Sequence, residues 1–312
     1  MSRRERLMVP EPQFESYYGR QIIKTPTWKT PDVPLYLFLG GLAGASAVLA
    51  EGAAATDRPG LERVARLAAA AGAAGGTIAL VHDLGRPARF LNMLRVFKPT
   101  SPLSVGSFIL APFATLSGAA VTSRVTGRLP RLGRLAGLGA AALGPPLATY
   151  TAALVANTAV PAWHEAHREL PFLFGGSGMA GAGGLGMLAA PYAESGPALR
   201  MAVAGGLTET AATALMTRRL GMVAEPYHQG GSGRLMSTAK SLTGVGLALS
   251  VLGLRSRVAR RIAGASFVAG SVVTRFGVFE AGLVSARDPK YTVVPQRERL
   301  ERQAAEQRKV TT

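Results

Sequence analysis

A-L-V-H-D-L-G-R-P-A-R-F-L-N-M-L-R-V-F-K-P-T-S-P-L-S-V-G-S, residues Ala79 to Ser107, is a short polar connector between two long apolar runs. It gathers His82, Asp83, Arg86, Arg89, Arg95 and Lys98. Charge is expensive inside a bilayer, so a connector this charged between two membrane helices must lie at the water interface. Pro87, Pro99 and Pro102 stop the flanking helices from running through it. The stretch therefore points to a class of fold: apolar helices that cross a membrane, joined by interfacial loops. Two readings of the loop itself stay open. It is an ordered surface that binds a polar partner, or it is a solvated basic loop that follows the one-sided placement of Lys and Arg.

Working outward, eight apolar segments stand at 34–55, 62–82, 103–123, 133–158, 171–192, 198–219, 237–254 and 259–284. Each is close to the ~20 residues a helix needs to span the hydrocarbon core. The expected fold is an all-α integral membrane protein with eight transmembrane helices. Gly144-Pro145-Pro146 should kink the fourth segment. Residues 1–33 read as a polar arm on the membrane surface or against a partner subunit, with Tyr17, Tyr18 and Trp28 as interfacial aromatic anchors. Residues 287–312 form a polar tail, with a short surface helix expected around 296–308.

The two halves echo each other. L-Y-L-F-L-G-G-L-A-G (35–44) is matched by P-F-L-F-G-G-S-G-M-A-G (171–181), and R-P-A-R-F with S-P-L-S-V-G-S (86–107) more faintly by R-L-M-S-T-A-K-S-L-T-G-V-G (234–246). A tandem duplication of four helices predicts two four-helix bundles of the same orientation, at 34–158 and 159–286.

Composition narrows the function. The chain of 312 residues is 48% hydrophobic and only 17% charged, with 38 glycines, a small-residue bias that suits close helix packing in lipid. The net charge of +17 lies in loops and tails, and only 6% of residues are aromatic, which argues against nucleic acid. There is no cysteine, so thiolate-ligated iron–sulfur clusters and thiol chemistry are excluded. His82, His164, His167 and His228 all fall in connectors or at segment ends, which disfavours a bis-histidine haem in the bilayer. No metal site is expected. The basic start M-S-R-R-E-R lacks the apolar core of a cleavable signal, so the first segment should act as an uncleaved anchor. Eight crossings put both termini on one side. An excess of Lys and Arg there favours the cytoplasmic face of the cell membrane.

The chain resembles the NrfD/polysulfide-reductase membrane subunit family. The likeness rests on Y-Y-G-R-Q-I-I-K-T-P-T-W (17–28), L-F-L-G-G-L-A-G-A-S (37–46), H-D-L-G-R-P-A-R-F-L-N-M-L (82–94), T-S-P-L-S-V-G-S (100–107), Y-T-A-A-L-V-A-N-T-A-V-P-A-W (150–163), L-P-F-L-F (170–174) and S-V-V-T-R-F-G-V-F-E-A-G (271–282). The resemblance implies an eight-helix subunit of two four-helix bundles without metal or haem. It also implies a quinone bound near one membrane face, a ferredoxin-like iron–sulfur subunit beside it and a molybdopterin catalytic subunit beyond.

Candidate residues follow, each with an alternative. Tyr150 can donate from its phenol to a quinone oxygen, or serve as a core or belt tyrosine. His82 and Asp83 can relay protons at the end of the second segment, or Asp83 can pair with Arg86 or Arg89 and fix the loop. His164 is a further quinone candidate. Trp163, Arg86, Arg89 and Arg95 are candidate partner contacts, with an interfacial belt and a solvated loop as the plainer readings. Glu209, Arg275 and Glu280 lie within apolar segments and form a candidate proton path, or Arg275 pairs with another helix to hold the fold. Three functions stay open: a non-catalytic quinone-interacting subunit of a respiratory oxidoreductase, a secondary transporter or proton-conducting channel, and a structural membrane anchor.

Overall fold

A computed structural model describes residues 22–86 and 88–310. They form twelve α-helices and one short 3-10 turn, with no strand among the described residues. In chain order these are α1 (Asp32–Ala55), α2 (Pro59–Asp83), α3 (Ala88–Met93), α4 (Pro102–Thr126), α5 (Pro130–Ala156), α6 (Pro161–His164), α7 (Leu170–Ala189), α8 (Gly196–Leu220), α9 (Glu225–His228), α10 (Gly230–Leu252), α11 (Arg257–Arg287) and α12 (Lys290–Val310). Tyr17 and Tyr18 lie outside the described residues.

Local sequence sets most starts. Proline, which lacks the amide that a first turn leaves unpaired, stands in the first two positions of α2, α4, α5, α6, α7, α8 and α9. Ser101 and Ser256 cap α4 and α11 through the amides of Ser104 and Ala259. Gly127 ends α4 at φ 67°, in the left-handed region open to glycine. Pro145 and Pro146 sit inside α5, which continues as one helix through them.

Among the described residues, seven helices are long and apolar enough to cross a membrane: α1, α2, α4, α5, α7, α10 and α11. The chain is a multi-pass membrane protein. Against the eight expected spans, α8 falls short on composition, because Arg200, Glu209, Arg218 and Arg219 interrupt it, although its 25 residues match its neighbours in length. The tail helix is also longer than expected and begins at Lys290.

Sequential helices run back and forth, and the second half repeats the pairings of the first. Gly72 of α2 lets that helix approach Leu39 O and Ala43 of α1; Gly205 of α8 does the same against Gly176 O and Ala180 of α7. Leu39 and Ala43 are the counterparts of Gly176 and Ala180 in the repeated segment. At the centre, α1 and α7 cross at Gly41 and Gly178, where an added Cβ on Gly178 would lie 2.8 Å from Gly41 O. Ile78, Leu135, Leu207, Leu215, Val251 and Ile262 point outward, as lipid-facing residues do.

Candidate functional site

One end of the molecule carries the connector Leu84–Ser101, the arm before α1, α6, α9 and the start of α12. The arm lies against this chain: the Lys29 amide donates to Asp83 Oδ1 at 2.9 Å, and Lys29 Nζ to His82 O at 3.4 Å. His82 is exposed, with Nδ1 2.7 Å from Asp32 Oδ2. Neither expected pairing of Asp83 with Arg86 or Arg89 forms; Arg89 Nη1 donates to Leu84 O instead. Asp83 is thus a tether for the arm. The connector folds back on α4, with the Lys98 amide donating to Ser104 Oγ at 3.0 Å and Phe97 packing edge-on against Phe108. Arg86, Arg89, Arg95 and Lys98 are exposed on it, beside the exposed apolar side chains of Leu91, Val96 and Phe97.

Trp163 was a candidate partner contact. Its indole has no exposed surface: Trp28 stacks on it at 5.5 Å, Phe279 lies tilted against it at 5.7 Å, and Nε1 donates to Val278 O at 2.8 Å. It therefore anchors α6 to α11. Tyr227 Oη completes the anchor by donating to Ala162 O at 2.9 Å, and burial raises its pKa. His164 Nδ1 lies 3.1 Å from Ala156 O, closing the end of α5. At the rim Arg219 forks onto Glu169 and also reaches Glu165 O, which lowers the pKa of Glu169. Lys290 holds Glu225 at 2.8 Å, lowering the pKa of Glu225 and raising its own.

Tyr150 lies four residues after Pro146, buried in α5. Its ring lies on Gly106 of α4, where any side chain would run into it, and meets Tyr36 of α1 edge-on at 6.4 Å. The S-P-L-S-V-G-S run thus has a physical reason for its glycine. The phenol oxygen is buried and has no hydrogen-bond partner among the described residues, and the same holds for Oγ1 of Thr151, the next residue in sequence. An unpaired buried hydroxyl costs ~1–3 kcal/mol, so such a group marks a place where a ligand or water completes the site.

In the second half a cleft of about 430 Å³ opens between α8 and α10, with Thr274 of α11 on its floor. Glu209 lines it; Oε1 accepts from Thr274 Oγ1 at 2.5 Å and Oε2 has no partner. Arg275 is fully buried next to Thr274, with its guanidinium 3.8 Å over the Phe174 ring and Nη2 donating to Phe174 O at 2.6 Å. No ion pair joins Arg275 to Glu209, so the expected inter-helix partner of the arginine is a ring and a carbonyl. Glu280 is half-buried, lines no part of this cleft and forms no hydrogen bond or ion pair among the described residues. The structure adds Lys240, which lines the cleft from α10. Sequence reading passed over it because the seventh segment was started at residue 237, near the water; the helix begins at Gly230 and carries Lys240 nearly three turns deeper. A lysine inside an apolar run was the signal.

Comparison with curated proteins finds no match. A family model described as "Polysulphide reductase, NrfD" matches residues 23–226, which include the connector, Tyr150, Trp163 and Glu209 but not Lys240 or Arg275. The matched region is most of the chain, and the protein belongs to the NrfD family.

Proposed function

We propose that this chain is the quinone-interacting membrane subunit of an oxidoreductase complex, and that it crosses the cytoplasmic membrane eight times as two four-helix bundles, with α8 as the eighth crossing. Glu209 and Arg218 of α8 turn toward the cleft and Arg219 toward its Glu169 rim, Arg200 lies exposed near the other end of the helix, and Leu207 and Leu215 face outward, which suits a helix in lipid beside a polar cavity. One observation carries the quinone reading: Tyr150 holds a buried, unpartnered phenol one short helix length below the charged connector. A quinone presents carbonyl oxygens that accept a phenolic hydrogen bond, and its reduction takes up two electrons and two protons. Tyr150 would hold the head group, and His82, with Asp32, and His164 are exposed titratable groups at that end through which protons would pass to water.

The chain has no cysteine to ligate an iron–sulfur cluster, and in this reading electrons pass between a partner's cluster and the diffusible quinone. The exposed Arg86, Arg89 and Arg95 with Leu91, Val96 and Phe97 form the mixed basic and apolar surface on which a ferredoxin-like iron–sulfur subunit would dock, with a molybdopterin subunit beyond it. Tyr150→Phe tests the reading, because it keeps the ring and removes the donor. The complex should assemble, its partner's clusters should still be reduced, and quinone affinity should fall by roughly two- to twelvefold, the worth of one hydrogen bond. Quinone titrations that superimpose on wild type would overturn the assignment.

A further inference from the structure

We infer that the cleft between α8 and α10 is a one-sided hydrated inlet through which Glu209 exchanges protons with the face that carries His228. The cleft is a different region from the Tyr150 site, and the inference stands whether or not Tyr150 binds a quinone.

Depth is the first argument. Glu209 lies eleven residues before the Leu220 end of α8, and Lys240 ten residues after the Gly230 start of α10. At 1.5 Å per residue both sit about 15 Å from the same end, halfway through a hydrocarbon core of ~30 Å. Glu209 is 4% exposed, and among the described residues one of its carboxylate oxygens has no partner and Lys240, exposed and lining the cleft, has no ion pair. Charges at that depth are tolerated where water or an opposite charge meets them.

The lining is the second argument. Hydroxyls of Thr210, Thr213, Thr217 and Ser237 step from Glu209 toward the mouth, and Thr243 adds a further buried, unpartnered oxygen. A cavity of about 430 Å³ with several polar partners has the room and the donors that bound waters require. The charged and titratable groups that face Glu209 are Lys240 from α10, Arg275 from α11, Arg218 on its own helix, and His228 and Tyr227 from α9.

The third argument is closure. Toward the opposite face Phe267 of α11, fully buried, fills the space between Gly206 of α8 and Gly246 of α10, and Gly205 brings α8 against the α7 backbone. The cleft ends there. The geometry is that of a loading site open to one compartment and argues against an open channel from face to face.

This chain has no native cysteine, so an introduced thiol is its only one, and labelling is read on this chain after it is separated from its partners. In the assembled complex in oriented vesicles, Thr217→Cys and Thr213→Cys should react with the anionic, membrane-impermeant reagent sulfonatoethyl methanethiosulfonate from the His228 side only, Thr217→Cys the faster. Leu215→Cys, on the outward face of the same helix, should not react. Reaction of the cleft positions with a lipophilic maleimide but not with the charged reagent would mean a lipid-filled groove and would overturn the inlet. Reaction from both sides would overturn the one-sidedness. Infrared difference spectra between acid and alkaline buffer supply the second reading: a carboxylic C=O band should be present in wild type and lost in Glu209→Gln. An unchanged spectrum in that variant would remove Glu209 as the proton-exchanging group.

Discussion

The two halves repeat one arrangement of helices yet end in different chemistry, and the difference lies in their connectors. Between α2 and α4 the chain spends residues 84–101, with a helix of its own, and this connector folds back onto α4 above Tyr150. Between α8 and α10 it spends only residues 221–229, and α9 is fixed at its base by Tyr227 Oη on Ala162 O and Ser232 Oγ on Pro226 O. The long connector packs on α4 at Ser104, two residues from the Gly106 on which the Tyr150 ring lies. The short one leaves the space between α8 and α10 open down to Glu209. A duplicated scaffold can thus bury a phenol by packing in one half and open a polar cleft in the other. Small helix-to-helix distances are common to both, and loop length decides what stays accessible.

The largest expected effect concerns what joins the halves. Gly282→Leu would drive a side chain into the Trp163 indole and disturb its stack on Trp28 and its contact with Phe279. Overpacking of this kind costs ~1–3 kcal/mol or more, so thermal unfolding in detergent should show a marked loss of stability. Gly244→Leu, where an added Cβ meets no neighbouring side chain or helix within 4 Å, should show no such loss. Next comes Arg275→Met, which takes the donor from Phe174 O at the seam between α7 and α11. Phe174 O keeps its helical amide in α7, so the cost is that of one hydrogen bond from a charged donor, ~1.5–3 kcal/mol, and Arg275→Lys should rescue only part of it, because a lysine does not reproduce the planar guanidinium over the ring. Tyr150→Phe follows at ~0.5–1.5 kcal/mol in quinone affinity. It sharpens the comparison because it should leave the labelling of Thr213→Cys untouched.

The smallest effect is on pH. Arg219 holds the Glu169 carboxyl below the usual carboxylate range, so the pair stabilises the fold at pH values above the ordinary glutamate pKa of ~4.3 and loses that contribution as pH falls through the lowered value. Acid unfolding of Glu169→Gln should lack this component, worth ~0.2–1 kcal/mol for a partly solvated pair.

Most of the helices were legible in the sequence because length and apolarity encode them directly, and prolines mark their starts. The ends were less so: Gly230–Met236 is polar and glycine-rich, yet helical, because α9 and α11 support it, and this shift hid the depth of Lys240. Tyr150 and Glu209 were legible as residue types out of place. Their settings were not, since Gly106 under the Tyr150 ring and Phe267 closing the cleft are contacts between distant segments. Trp163 shows the reverse limit. Its place beside His164 and Glu165 suggested a surface belt, and only the approach of Trp28 and Phe279 encloses it.

The division of labour between the halves is the central claim, and photolabelling of the assembled complex with an azido-quinone tests it most directly. The account predicts label on α4 and α5 around Gly106 and Tyr150, lost when unmodified quinone competes. Competable label on α8 and α10 around Thr213 and Lys240, with none near Tyr150, would contradict it.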